Sequence, residues 1–131
     1  MDTLLPGEQA LWARMSAPDR RHAVGVARQV ALTLGSSAER PVLAAALLHD
    51  VGKVDSDLST VARAFATVVN RQAGNSRFAR YRRHDLIGAD LLISAGSDPL
   101  TVAWAREHHR SSDRWTLPAR LSSALKAADD D

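Results

Sequence analysis

The sequence predicts an all-α fold, a compact single-domain bundle of about six to eight helices over residues 1–131. Three observations carry this. Alanine, leucine and arginine are abundant while aromatic residues make up only 5% of the chain, a composition suited to helices rather than a β-sandwich. Apolar residues recur at helical spacing, and no stretch sustains period-two alternation. Finally, 131 residues can enclose one hydrophobic core, and no repeat, low-complexity segment or linker divides them.

The elements follow in order. A short helix is expected over Glu8–Met15. The second opens near Pro18, which suits a first turn, and runs to about Leu34 before Gly35, with Ala23, Ala27, Val30, Ala31 and Leu34 inward. A third, from about Glu39 to Asp50, is apolar almost all round and therefore central. A fourth covers about Leu58–Gln72, with Val61, Phe65, Val68 and Val69 inward. After an arginine-rich stretch, His84 begins a helix whose Ile87, Gly88, Leu91, Leu92 and Ala95 form one face. Asp98-Pro99 caps the next, to about Arg110. Pro118 starts the last, with Leu121, Ala124, Leu125 and Ala128 inward.

Composition excludes several classes. Without cysteine there is neither a disulfide framework nor a thiolate metal site. No apolar run approaches the roughly 20 residues that span a bilayer. The N-terminal "MDTLLPGEQALW" lacks the basic-then-apolar pattern of a secretory signal, so a cytoplasmic protein is expected. The net charge of +2 does not argue for nucleic acid as a partner. Arg77, Arg80, Arg82 and Arg83 crowd one segment, although a lone arginine run is more often a solvated helix face.

The five histidines are the most informative residues. His22 lies beside the inward stripe of the second helix, His49 and Asp50 end the apolar third, His84 leads an apolar face, and His108 follows Trp104 by four. Asp129 follows Leu125 by four. Any one of them alone reads as a satisfied core residue or a solvated acid. Together they direct imidazoles and carboxylates from several helices toward one core, where unpartnered polar groups cost about 1–3 kcal/mol each. A shared metal centre satisfies them all. Donors of this kind, without thiolates, suit Fe, Mn, Zn, Co or Ni. A carboxylate such as Asp50 can bridge two ions, which an imidazole cannot.

His22 in "RRHAVGVARQVA", His49-Asp50 in "ALLHDVGK" and Asp129 in "KAADD" make the chain resemble the HD-domain superfamily of metal-dependent phosphohydrolases. "RHDLIGADLL" and "AREHHRSSDRW" resemble the extra histidine motifs of its binuclear members, including the HD-GYP branch. The resemblance spans about residues 18–130, so one HD domain is expected over the whole chain. It implies His22, His49, Asp50 and Asp129 around one metal, with Asp50 bridging to a second held by His84 and His108. The family uses the first histidine of the pair, which favours His108; helical spacing alone leaves His109 open, since it follows Ala105 by four. Asp129 is favoured over Asp130 because it continues the Ser122–Leu125 face and, like the family's aspartate, follows an alanine. Where the HD-GYP branch has a glutamate and a Gly-Tyr-Pro loop, Arg110 and "SSDRW" stand here, which argues against cyclic di-GMP as substrate. Asp85 replaces the family's frequent proline.

The expected function is hydrolysis of a nucleotide or related small phosphoester. Two divalent transition-metal ions about 3.5–4 Å apart would activate a bridging hydroxide and clamp the phosphoryl group. Asp50 and Lys53 are the expected catalytic residues, the lysine stabilising charge on the phosphate. Arg80, Arg83 and His109 are the expected substrate contacts, guanidinium groups being suited to phosphate. Two alternatives stand beside this. The same six ligands resemble those of HD-type di-iron oxygenases, and an HD module can also bind a nucleotide and signal without catalysis.

Overall fold

The structure, a computed structural model, describes residues 3–57 and 77–130, with side chains described over 3–54 and 83–130. It is all-α, with no strand among the described residues. The helices are α1 (Pro6–Arg14), α2 (Ala17–Leu34), α3 (Arg40–Leu48), α4 (Arg77–Ser94), α5 (Pro99–Glu107) and α6 (Ala119–Asp130). Short 3-10 turns cover Gly35–Ser37, Val51–Asp57 and Ser112–Arg114. The helix expected over Leu58–Gln72 lies outside the described residues, as do the side chains of Arg80 and Tyr81. Among the described residues no helix is long and apolar enough to cross a membrane.

Three of the boundaries that differ from the sequence expectation bear on the site. α4 is already helical at Arg77, where the described residues resume, ahead of the expected start at His84. Arginine is a good helix former, and no cap or breaker separates the arginine run from His84 and the apolar face beyond it. α3 stops at Leu48 and α5 at Glu107, with His49 and His108 as the capping residues. Each polar pair therefore sits where its helix ends. On α2 the buried stripe is Ala23, Val26, Val30 and Leu34, whereas Ala31 is exposed. Ala31 stands one position, about 100° around the helix, from Val30.

α3 is central, packed between α2 and α5; α2 carries α6 on its other side, and α5 carries α4. The alternation of faces on α3 explains its role. Ala44, Leu47 and Leu48 join a cluster with Leu11, Val51, Ala89 and Leu92. Val42, Ala45 and Ala46 join another with Val30, Trp104 and Leu125.

Two local devices fix the frame around the end of α3. Gly52 lies so close to α4 that a Cβ there would sit 1.9 Å from the His84 carbonyl oxygen and 2.9 Å from the Gly88 amide nitrogen. Only two glycines let these backbones touch, and the contact seats the Val51–Asp57 turn on α4. Across the core, fully buried Glu8 accepts the Leu5 N–H at 2.9 Å, the Ser97 hydroxyl at 2.7 Å and the Arg40 guanidinium at 3.2 Å. Arg40 also pairs with Asp98, so α1, the start of α3 and the α4–α5 loop are tied together.

Candidate metal centre

Packing of α6 on α2 joins the ends of the chain. His22 Nε2 lies 2.8 Å from Asp129 Oδ1, across 107 positions of sequence. The same carboxylate oxygen is 3.3 Å from Nε2 of His49, which the end of α3 delivers into the core. His49 Nε2 is also 3.1 Å from Asp50 Oδ2. Donor atoms of His22, His49 and Asp50 all lie within 4.8 Å of one another. His22 holds the solvent side at 49% side-chain exposure, while His49 is buried.

Asp50 turns its other oxygen to a second group. Oδ1 is 3.2 Å from Nε2 of buried His108. Donor atoms of Asp50, His108 and His109 again lie within 4.8 Å of one another. Asp85, buried on α4, receives His109 Nδ1 at 2.9 and 3.0 Å and stands 3.7 Å from His108 Nε2. Among the described residues, His84 belongs to neither group of donor atoms; it lies half-buried one turn before Gly88. The sequence expectation places His84 with His108 at the second ion. His109, expected at the substrate, stands with His108 beside Asp50, and Asp85 stands behind His109. The loop after α5 is held by Glu107, whose buried carboxylate accepts the Thr116 N–H at 2.7 Å and its hydroxyl at 2.8 Å.

Helix ends also set the tautomers. A carbonyl can only accept, so His49 Nδ1 carries its hydrogen to Ala46 O at 2.8 Å. His108 Nδ1 likewise donates to Trp104 O at 3.0 Å and Ala105 O at 3.1 Å. In the neutral rings, each Nε2 then points a lone pair at carboxylate oxygens. Acceptors facing acceptors need a cation between them, either a proton or a metal ion. Nε2 of His49 shows this most sharply. It is buried and flanked by two carboxylates, yet aligned for a hydrogen bond with neither.

Burial alone would lower the His49 pKa, but Asp129 and Asp50 outweigh it and raise it to about 10. Burial would raise Asp50, yet His108 and His49 hold its carboxyl far below the ordinary range. Asp129 is held low in the same way by His49 and then His22. Metal–ligand bonds of about 2.0–2.2 Å place neighbouring donors of one shell about 3 Å apart, close to the separations seen here. The donors fit a divalent cation, and imidazoles anchored through Nδ1 to carbonyls are the usual outer support of such a site.

A family model described as HD domain matches residues 21–130. The chain belongs to the HD domain family. Searches of curated proteins and of solved structures return no match. HD domains bind divalent metals and form a superfamily of metal-dependent phosphohydrolases. In this HD domain the name-giving pair, His49-Asp50, is the junction of the two donor groups. Lys53 follows on the adjoining turn, its Nζ 3.5 Å from Asp50 Oδ2 and its side chain 42% exposed. Arg83, expected at the substrate, is exposed on α4. The expected Arg80 contact falls on a side chain outside the described ones.

Proposed function

We propose that this HD domain is a phosphohydrolase that uses two divalent transition-metal ions to cleave a nucleotide or related small phosphoester. The observation that supports it best is the split of Asp50. One of its oxygens faces His49 and the other His108, the arrangement a bridging carboxylate needs. We assign His22, His49, Asp50 and Asp129 to one ion, and Asp50, His108 and His109 to the other. Asp85 orients His109 through its Nδ1. His84 is set outside this assignment. Bound ions would supply an activated water and neutralise charge on the phosphoryl group.

The chain's own contribution is positional and electrostatic. The carbonyls of Ala46 and Trp104 hold the two inner imidazoles in the tautomer that presents Nε2. The apolar run Val42–Leu48 behind them excludes water from the inner wall. Lys53 keeps its ammonium beside Asp50 while remaining half in solvent, so it can meet a phosphoryl oxygen arriving from outside. Its charge then offsets negative charge that builds on the departing group.

Elemental analysis of the purified protein, joined to a phosphoester screen with Mn, Ni, Co, Zn and Fe, tests this reading. Wild type should carry metal and release phosphate or alcohol, and Asp50→Ala should do neither. Metal-free protein that stays inert with every added ion overturns the reading. Tightly held iron with oxygen uptake and no phosphoester turnover identifies an oxygenase instead.

A further inference from the structure

A cavity of about 450 Å³ opens against the outer side of the Asp85–His109 pair. This volume lies in the range of small-molecule sites. Arg106, at the end of α5, and Arg110 and Arg114, on the loop after it, line the cavity together with Ser111. Three guanidinium groups share this space with a single carboxylate in the wall, that of Asp85. Among the described residues none of the three makes an ion pair. The carboxylate of Asp85 is engaged by His109 at 2.9 and 3.0 Å. Asp113, beside Arg114 in sequence, acts on it only through space, and its Oδ1 accepts the Ser111 hydroxyl at 2.5 Å.

Arginine is the side chain best shaped for phosphate, since its planar fork donates two parallel hydrogen bonds to two oxygens. Three forks around one volume exceed what a single carboxylate could satisfy. They match a phosphoryl group with its several oxygens and its charge of nearly two. The cavity shares His109 with the second donor group. An anion seated there therefore lies next to the reacting centre without occupying it.

We propose that the Arg106–Arg110–Arg114 cavity is a subsite for a second phosphoryl group of the substrate, so that the protein prefers phosphoesters with two or more phosphoryl groups over simple monoesters. This rests on the phosphohydrolase reading for its catalytic meaning, though the subsite can be tested by binding alone. A monoester can fill the metal centre or the cavity, but not both. A nucleoside diphosphate or a bisphosphate reaches both at once, and the linked contacts reinforce each other.

The test uses the full chain and the triple variant Arg106→Gln/Arg110→Gln/Arg114→Gln, with folding checked by circular dichroism. Inorganic pyrophosphate and inorganic phosphate are titrated calorimetrically into chelator-treated protein. Wild type should bind both anions at the cavity, and the variant should lose about tenfold or more of the affinity for pyrophosphate, as expected when charge-assisted hydrogen bonds are removed. In the metal-loaded protein, the ratio of kcat/KM for a nucleoside diphosphate over p-nitrophenyl phosphate should fall about tenfold in the variant, chiefly through KM. Equal pyrophosphate binding by wild type and variant overturns the subsite. So does a short oligonucleotide that binds wild type more tightly than pyrophosphate, because the arginines would then serve a nucleic-acid backbone. If no phosphoester is cleaved with any metal, the hydrolase reading fails, while loss of pyrophosphate binding in the variant still supports the anion subsite.

Discussion

His22 and Asp129 meet across 107 positions of sequence, on two helices held together by apolar packing, whereas His108 and His109 are neighbours at the end of one helix. The first group takes its outer residues from separate elements, one side chain from each. The second takes two neighbours, His108 and His109, from the end of one helix, with Asp85 of α4 behind His109. One half of the site is thus set by tertiary packing and the other by rotation at helix ends. Asp50 belongs to both.

The largest effect should follow from removing that shared member. Asp50→Ala deletes an acceptor from each donor group and leaves His49 and His108 facing one carboxylate fewer. If metal charge supplies several kcal/mol to the transition state, kcat/KM should drop about a thousandfold or more. Metal content should fall for both ions. Retention of one full equivalent would show that the halves are independent.

Next comes Gly52→Ala. The new Cβ would collide with backbone, not with a side chain that could swing aside. Urea unfolding of the chelated variant should show a loss of about 1–3 kcal/mol or more. Because α4 carries Asp85, the second ion should be lost before the first.

The choice between neighbours is sharpened by a pair of variants. His109→Ala should weaken retention of one ion by about 10–100-fold, the range typical of residues that support a metal site. His84→Ala should leave metal content after dialysis unchanged. The reverse order would return His84 to the ligand set and His109 to the pocket.

Protons compete with metal at the first group. In metal-free protein the His49 pKa rises from 6.5 to about 10, so the folded state holds this proton more tightly than the unfolded chain. The resulting stability is fully present below about pH 6.5 and disappears as pH climbs through about 10. Asp50 and Asp129 run the opposite way: held below the ordinary 3.8, they contribute above that pH and lose the contribution as acid is added. Chelated protein should therefore melt highest between about pH 4 and 6.5. An incoming ion must displace the His49 proton, so its gain in Tm should grow from pH 5 to pH 8 in scanning calorimetry. A constant gain would mean that no proton leaves.

The smallest effect serves as a control. Gly25 lies within α2, and a Cβ there would meet nothing within 4 Å. Gly25→Ala should add about 0.5–1 kcal/mol to the unfolding free energy without touching metal content or turnover.

The same contrast explains what is legible in the sequence. The all-α class, the apolar third helix and the long-range partners His22 and Asp129 are visible as spacing and motif, because each ligand of that group rides a separate helical pattern. Asp85 is not. It resembles a substitution for proline, although "RHD" repeats the His-Asp order of "LHD" and is a usable signal. His109 cannot be resolved from His108, since both follow an inward residue by four and the helix stops just before them. The arginine cavity is also hidden, because the denser run at Arg80 and Arg83 is the more conspicuous basic segment. Arg106, Arg110 and Arg114 recur every four positions, but the chain leaves the helix at Glu107. Their convergence comes from the turn after α5, which periodicity does not describe.

Trp104 lends the second half a property of another kind. Its indole is buried at 2% exposure, 6.0 Å from the His108 ring and edge-on to Trp115 at 5.3 Å. Two of the three tryptophans in the chain therefore report optically on the neighbourhood of His108. An open-shell ion bound there would quench their emission, whereas closed-shell zinc would leave it bright. Tryptophan emission would therefore distinguish an open-shell from a closed-shell ion at this position.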